Sequence, residues 1–373
     1  MSKLYLYLLI TASLLFAASC NDSTSTADNV MKLRKNVKNL TAAEKLDYVN
    51  AILKLKETPS PYNDTLSWYD QFVWWHREAF VCDDMNPQHQ FNEYPAHMGP
   101  AFLPWHRAFL LEYEKALSQV SGKNIALPYW DWTDDASTAA VFSDDMMGGD
   151  GDPNDDYALK TGPFRKGNWV LTIFDDLDDD PFQWTYIVRA LGKNPPKVQL
   201  PTKEHINEMM TIDRYDHPPY NINVNHLLSF RNYLEGFRSS HEVPCNNGTM
   251  DVTDDDWTDS TDADGIRSAM HNAVHLWVGG AFKVDTMIVM GTMTFNVSPN
   301  DPVFFLHHAN VDRMWSIWMK KHGQIYEPVT GGPTNTNLND HMPPYSLIGK
   351  TYTPAMMLDS RKNNFYYEVE EIK

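Results

Sequence analysis

His271 and His275 stand four residues apart in the run Met270-His-Asn-Ala-Val-His-Leu-Trp277, and no other feature constrains the fold as much. Four residues along an α-helix return the chain to nearly the same face, so both imidazoles can meet one ion. The flanking residues carry the apolar periodicity of a helix that faces a core. The same setting recurs elsewhere. His307 and His308 close the apolar run 303–306, His76 follows Trp74 and Trp75, and His97 and His106 bracket Met-Gly-Pro-Ala-Phe-Leu-Pro-Trp. A lone histidine among apolar residues is usually a hydrogen-bonded core residue. Two separated sets of three are another matter, because six buried imidazoles without partners cost on the order of several kcal/mol each in stranded polar groups. Metal ligation removes that cost.

The rest of the chain supports a helical frame. Residues 41–56 read as a helix whose N-cap is Thr41, with Glu44 at capping-box distance. Residues 67–80, 106–120, 265–278 and 302–322 show helical periodicity, which gathers the histidines into two halves, 68–120 and 265–322. Between them, the Asp/Gly-rich stretch 144–156 reads as an exposed loop, and 174–181 adds a second acidic run. The stretch 365–369 has strand-like composition. This is a mainly α pattern with long irregular connections and little β, and it lacks the alternation of a Rossmann-type domain. Lys and Arg total 31 against 49 Asp and Glu, a net charge of -18, with no basic run that could neutralise phosphates. A nucleic-acid partner is excluded on that ground.

Imidazole ligands suit Zn, Cu, Fe and Ni, with copper at the top of the affinity order. The zinc-hydrolase pattern HExxH is absent, because Asn272 stands where its glutamate belongs. A structural zinc site would more often use cysteine, and none lies near. The residues alone therefore define a histidine-rich metal pair of redox type, and do not choose between His307 and His308.

Longer motifs then carry a resemblance. The run His97-Met-Gly-Pro-Ala-Phe-Leu-Pro-Trp-His106-Arg-Ala-Phe-Leu-Leu-Glu112 resembles the first copper half of the tyrosinase/catechol oxidase (polyphenol oxidase) family. Pro128-Tyr-Trp-Asp-Trp132 resembles the segment that follows it. His271-Asn-Ala-Val-His-Leu-Trp-Val-Gly-Gly280 and Asp301-Pro-Val-Phe-Phe-Leu-His-His-Ala-Asn-Val-Asp-Arg-Met-Trp315 resemble the second half. The resemblance implies a type-3 dicopper protein built as a four-helix bundle, with inward-facing ligands. It implies CuA on His76, His97 and His106, and CuB on His271, His275 and His308. Asp312, one turn after His308, is then expected to orient that ligand.

The activity implied is oxidation of o-diphenols to o-quinones with O2 as co-substrate, so the partners are small phenols and O2. Hydroxylation of monophenols is associated in this family with an Asn directly after the first CuB histidine, partnered by an acid. Asn272 matches the first requirement, and Asp264 is the acid expected to supply the second; capping the following helix is the alternative role for Asp264. Phe295, thirteen residues before His308, resembles the bulky gate over CuA of plant catechol oxidases, and core packing is its alternative. Cys82 could form a thioether to His97, a disulfide with Cys245 or remain a thiol. A haemocyanin-like reversible O2 carrier shares the copper motifs and stands as the rival function. With no long segment after the second motif, the resemblance leads to an enzyme without a C-terminal plug.

The N-terminus carries an address. Lys3 precedes an apolar stretch over residues 4–18, too short for a good membrane span and suited to a secretory signal. Its end, Ala17-Ala18-Ser19-Cys20, resembles a bacterial lipobox. The expected organisation is a signal at 1–19, a lipid anchor on Cys20, a polar tether over 20–40 and a catalytic domain over 41–373. Export, with membrane attachment only through that lipid, is the expected localisation.

Overall fold

In the computed structural model the described residues are 30–80, 96–174, 183–193, 198–221, 224–236, 270–284, 287–345 and 349–371. Helix α1 spans Ala42–Glu57 and opens on the expected capping box: Thr41 accepts from the Glu44 N–H while the Glu44 carboxylate accepts from the Thr41 N–H. Helices α2 (Trp68–Phe80) and α3 (Phe102–Ser121) follow. The latter starts four residues before the expected position 106, because Pro104 lies within its first turn, where no intrahelical N–H partner is required. Short helices α4 (Asp135–Val141), α5 (Lys203–Met209) and α6 (Phe230–Glu235) lie in the long connections. Helices α7 (Met270–Gly279) and α8 (Val303–His322) complete the second half.

Helices α2, α3, α7 and α8 form the four-helix bundle, and aromatic rings fill its seams. Phe72 of α2 meets Phe109 and Tyr113 of α3 at 5.5 and 5.2 Å between ring centres. Tyr113 in turn stacks on Phe305 of α8 at 3.4 Å. Such pairs add to stability beyond the area they bury, and their two-torsion side chains hold the helices at fixed separations. Helix α7 ends at Gly280, whose φ of +71° and N–H bond to the Leu276 carbonyl make a left-handed cap. A side chain there would meet the Ala190 carbonyl oxygen at 2.1 Å, so glycine is required twice over.

The strands are short: β1 (Lys32–Arg34), β2 (Gly151–Asp152), β3 (Ala158–Leu159), β4 (Ala281–Val284), β5 (Met287–Met290) and β6 (Phe365–Tyr367). β1 pairs in parallel with β6, placing Arg34 opposite Tyr367. This corrects the tether: residues 32–40 belong to the folded domain, and Arg34 is fully buried. Its guanidinium bonds Glu114 of α3 at 3.2 Å, Asp312 of α8 at 3.2 Å and the Tyr367 hydroxyl at 3.0 Å. The surrounding polarity of 20–40 masked one strongly anchored cation. The stretch 144–156 is also less exposed than its composition implies, since Met146 and Met147 are buried and Gly151 starts β2. No helix among the described residues is long and apolar enough to cross a membrane.

Candidate metal centre

The bundle brings the predicted histidines together in two buried groups: His76, His97 and His106, and His271, His275, His307 and His308. His76 comes from α2, His106 from α3, and His97 from the loop just before α3. The rings of His97 lie 4.9 Å from both His76 and His106. In the second group, the Nε2 atoms of His271 and His275 are 3.0 Å apart, and each is 3.3 Å from His308 Nε2. His307 does not share that convergence; its ring lies flat on His271 at 5.0 Å, 12° from parallel. The groups abut, with His106 and His308 stacked at 4.3 Å.

Main-chain carbonyls fix which nitrogen carries the hydrogen. His76 Nδ1 donates to Asn296 at 2.5 Å and His106 Nδ1 to Phe102 at 2.8 Å. His271 Nδ1 donates to Glu235 at 3.1 Å and His275 Nδ1 to Met293 at 2.7 Å. A carbonyl only accepts, so in all four rings the hydrogen sits on Nδ1 and Nε2 presents a bare lone pair. For His76 and His106 that Nε2 has no protein partner. In the second group, the bare Nε2 atoms of His271 and His275 face one another at 3.0 Å. Without a cation between them this arrangement is repulsive. With imidazole–metal bonds of about 2.0–2.1 Å, tetrahedral ligands stand roughly 3.3 Å apart, and the residues present fit a metal ion.

Burial keeps the donors neutral. It lowers His76 to about 3 and His275 to about 4, each against the pull of its carbonyl bond. Burial, then neighbouring imidazoles, holds His97, His271, His307 and His308 well below the ordinary range. Burial and His76 do the same for His106. Neutral imidazole is the form that ligates. The walls are aromatic: Phe304 stacks on His308 at 4.1 Å and edges His76 at 4.9 Å, and Phe102 meets His106 and His271 at 4.9 Å each. These rings leave little room for water between the two groups.

Three expectations need correction or placement. Asp312 does not orient His308. Arg107 holds its Oδ1 at 2.5 Å, while Arg34 and the Tyr367 hydroxyl hold Oδ2 at 3.2 and 2.5 Å, and His308 Nδ1 has no partner. Two buried guanidiniums outbid a neutral imidazole for a carboxylate. The ring of Phe295 is only partly buried and makes no ring contact with any of the six histidines; the aromatics against both groups are Phe304 and Phe102. Asp264, Cys82 and Cys245 lie outside the described residues.

The structure adds Glu235, a fully buried acid that sequence reasoning missed. Its main-chain oxygen accepts from His271 Nδ1, and its carboxylate accepts from the Met98 N–H at 2.5 Å and from Arg231 at 2.9 Å. One residue thus touches the first ligand of the second group and the neighbour of His97 in the first. Met98 has a φ of +58°, a conformation that needs external support in a residue with a side chain. Burial raises the Glu235 carboxyl to about 7, against Arg231 and the Met98 N–H. Glu235 is far from His271 in the chain, with residues 237–269 between them, so proximity in sequence gives no hint of the contact. Glu235 ends the short helix α6 just before the Gly236 cap, and that helix-plus-glycine ending was the available signal.

Two abutting groups of imidazoles, aimed inward from a helix bundle and, among the described residues, without thiolate or carboxylate ligands, define the class of histidine-ligated dinuclear metal proteins. Residues 66–321 match the family model described as the common central domain of tyrosinase. The chain is 36% identical over 337 residues to a tyrosinase of Streptomyces antibioticus, covering 89% of this chain and 98% of that protein. It is 33% identical over 347 residues to grixazone synthase of Streptomyces griseus, covering 88% and 97%. The solved polyphenol oxidase of Thermothelomyces thermophila superposes with a TM-score of 0.58 at 20% identity, covering 92% of this chain and 89% of that one. A functional unit of octopus hemocyanin gives 0.51 at 18% identity over 91% and 68%, a likeness of fold. The chain belongs to the tyrosinase family, and its cofactor is a pair of copper ions.

Proposed function

We propose that this chain is a copper-dependent polyphenol oxidase that converts o-diphenols to o-quinones, with CuA on His76, His97 and His106 and CuB on His271, His275 and His308. The convergence of three Nε2 atoms at 3.0–3.3 Å, with those of His271 and His275 left bare by their carbonyl bonds, carries the reading. A copper pair held by these six histidines would supply two-electron redox chemistry, by which two diphenols reduce one O2 to water. The protein positions four of the six ligands, His76, His106, His271 and His275, through main-chain carbonyls, which cannot titrate, and so fixes those tautomers across the working pH range. The aromatic walls exclude water from the space between the groups, which protects reactive states from side reactions.

The reading extends to monophenols through Asn272 and Glu235. Asn272, directly after His271 on α7, is half-buried, and its amide bonds no described residue. Glu235, near neutrality by burial, is suited to take a phenol proton at physiological pH. Asp264, which lies outside the described residues, stays the alternative acid of this pair. Glu235→Gln is expected to lower tyrosine hydroxylation far more than catechol oxidation; equal losses would leave Glu235 a purely structural role.

Quinone formation from 4-methylcatechol, followed together with O2 uptake by the copper-loaded protein, tests the whole reading. Two catechols consumed per O2 is the expected stoichiometry. Reversible O2 binding with no catechol turnover would favour the carrier function instead.

Export with lipidation of Cys20 belongs to the same proposal, supported by the apolar stretch 4–18 and the Ala-Ala-Ser-Cys sequence, which lie outside the described residues. Detergent partitioning that is lost in Cys20→Ser is the expected outcome, and unchanged partitioning would remove the anchor.

A further inference from the structure

An unbroken line of oxidisable rings leads from the first histidine group towards the surface. Trp105 precedes His106, and its indole lies 4.9 Å from that imidazole and 6.2 Å from His76. Tyr345 is 5.6 Å from Trp105, and Tyr352 is 5.1 Å from Tyr345. Trp105 and Tyr345 are buried, whereas Tyr352 is partly exposed. Ring-to-ring spacings of this size are short for electron transfer between aromatic side chains.

The hydrogen bonds along the line differ in one respect. Trp105 Nε1 donates to the Pro343 carbonyl at 2.6 Å, and the Tyr345 hydroxyl donates to the Trp105 carbonyl at 3.2 Å. Amide carbonyls are not bases, so an electron hole on either ring has nowhere to send its proton. The Tyr352 hydroxyl donates to Glu112 Oε1, and Lys350 bonds Glu112 Oε2. Tyr352 is thus the first ring on the line whose proton can leave with its electron. Burial and the Glu112 charge also hold its phenol above the ordinary range, so it does not ionise unaided. Glu112 lies in the motif that follows His106, and the copper chemistry gives it no task.

We infer that Trp105, Tyr345 and Tyr352 form an escape route that drains oxidising equivalents from the metal site to Tyr352 when no phenol is bound, with Glu112 as the proton acceptor. In the draining step Tyr352 loses one electron, through Tyr345 and Trp105, to the oxidised metal site. Its proton passes to Glu112 Oε1. The products are a neutral tyrosyl radical, a protonated Glu112 and a site reduced by one electron. A diphenol from solvent then returns one electron to Tyr352 while Glu112 returns the proton. That diphenol sheds its own proton to water and leaves as a semiquinone. The oxidant is the O2-derived oxidising equivalent of the enzyme's own activity, and the ligand histidines are what the route spares.

The inference rests on the copper-oxidase reading, and the test separates the two. Copper-loaded holoenzyme is treated with hydrogen peroxide in the absence of phenol, freeze-quenched and examined by electron paramagnetic resonance; 4-methylcatechol turnover and the half-life of activity are followed in parallel. Wild type is expected to show a tyrosyl radical. Tyr352→Phe should lose that signal, keep its catechol turnover and inactivate several-fold faster in peroxide. Glu112→Gln, which keeps the ring but removes the base, should lose the signal as well. An unchanged radical in Tyr352→Phe, or an active wild type with no radical, overturns the route. A wild type that binds copper without turning over catechol overturns the function reading and the route with it.

Discussion

The two histidine groups do the same job with unequal construction. The second is built almost wholly on helices: His271 and His275 share one face of α7, and His308 projects from α8. Its three Nε2 atoms already stand 3.0–3.3 Å apart. The first draws on two helices and a loop, which supplies His97; each group has one ligand whose Nδ1 has no partner, His97 in the first and the helix-borne His308 in the second. What steadies that loop is Glu235, through the Met98 N–H, from the same residue whose main chain holds His271. A site on paired helices inherits its geometry from helical spacing, whereas one completed by a loop needs an outside brace.

Removing a ligand from the well-formed group should have the largest effect. His271→Ala or His308→Ala is expected to reduce copper from two to one per chain and to abolish catechol oxidation, as judged by metal analysis and quinone absorbance. Loss of the brace comes next. Glu235→Ala leaves Arg231 paired with Asp216 but removes buried hydrogen bonds to Arg231 and the Met98 N–H, a loss of about 1–3 kcal/mol readable as a lowered denaturation midpoint. The milder Glu235→Gln should lose about 10–100-fold in copper affinity, more at the first group than at the second. Equal weakening of both groups would contradict the comparison.

Asp312 provides a control that lies outside both groups. It ties α3 to α8 and β1 through Arg107 and Arg34. Asp312→Asn should destabilise the fold by about 3 kcal/mol or more while the folded fraction still binds two coppers. Selective loss of the second copper would restore the ligand-orienting role that the hydrogen bonds contradict.

The apo-protein should also respond to acid. Burial depresses His76 to about 3 and His275 to about 4, so the folded chain keeps them neutral where the unfolded chain, near 6.5, takes up protons. More protons are bound by the unfolded state in that window, so stability falls as pH drops from about 6.5 towards 4. Glu235, raised to about 7, opposes this between about 4.5 and 7, but it is one group against several. Urea midpoints measured across this range should decline with acid, and the metal-loaded protein should show a steeper loss because protons compete with copper. The smallest effect is expected for Phe295→Ala, with catechol turnover within about twofold of wild type, since the half-buried ring touches none of the six histidines and the neighbouring Met293 and Asn296 hold His275 and His76 through the main chain, which the substitution keeps.

Much of this was legible in the sequence. The capping box at Thr41 and Glu44, the HxxxH helix and the histidine-bearing helix 303–322 follow from local spacing, and local spacing is what helices obey. Arg34, Asp312 and Glu235 were misread or missed for a common reason. Each acts through partners far away in the chain: Arg34 through Tyr367, Asp312 through Arg107, and Glu235 through Met98. A polar run such as 20–40 gives no sign that one of its cations will be buried, and a carboxylate one turn from a histidine gives no sign that two guanidiniums will claim it.

The central claim is that two abutting three-histidine groups hold one coupled copper pair. Metal analysis combined with electron paramagnetic resonance of the copper(II)-loaded protein tests it most directly. The stacked His106 and His308 rings, 4.3 Å apart, bring the two sites close enough for their spins to couple. Two coppers per chain with almost no resonance signal is the predicted result. Two coppers with the full intensity of independent copper(II) ions, or a single copper per chain, would contradict it.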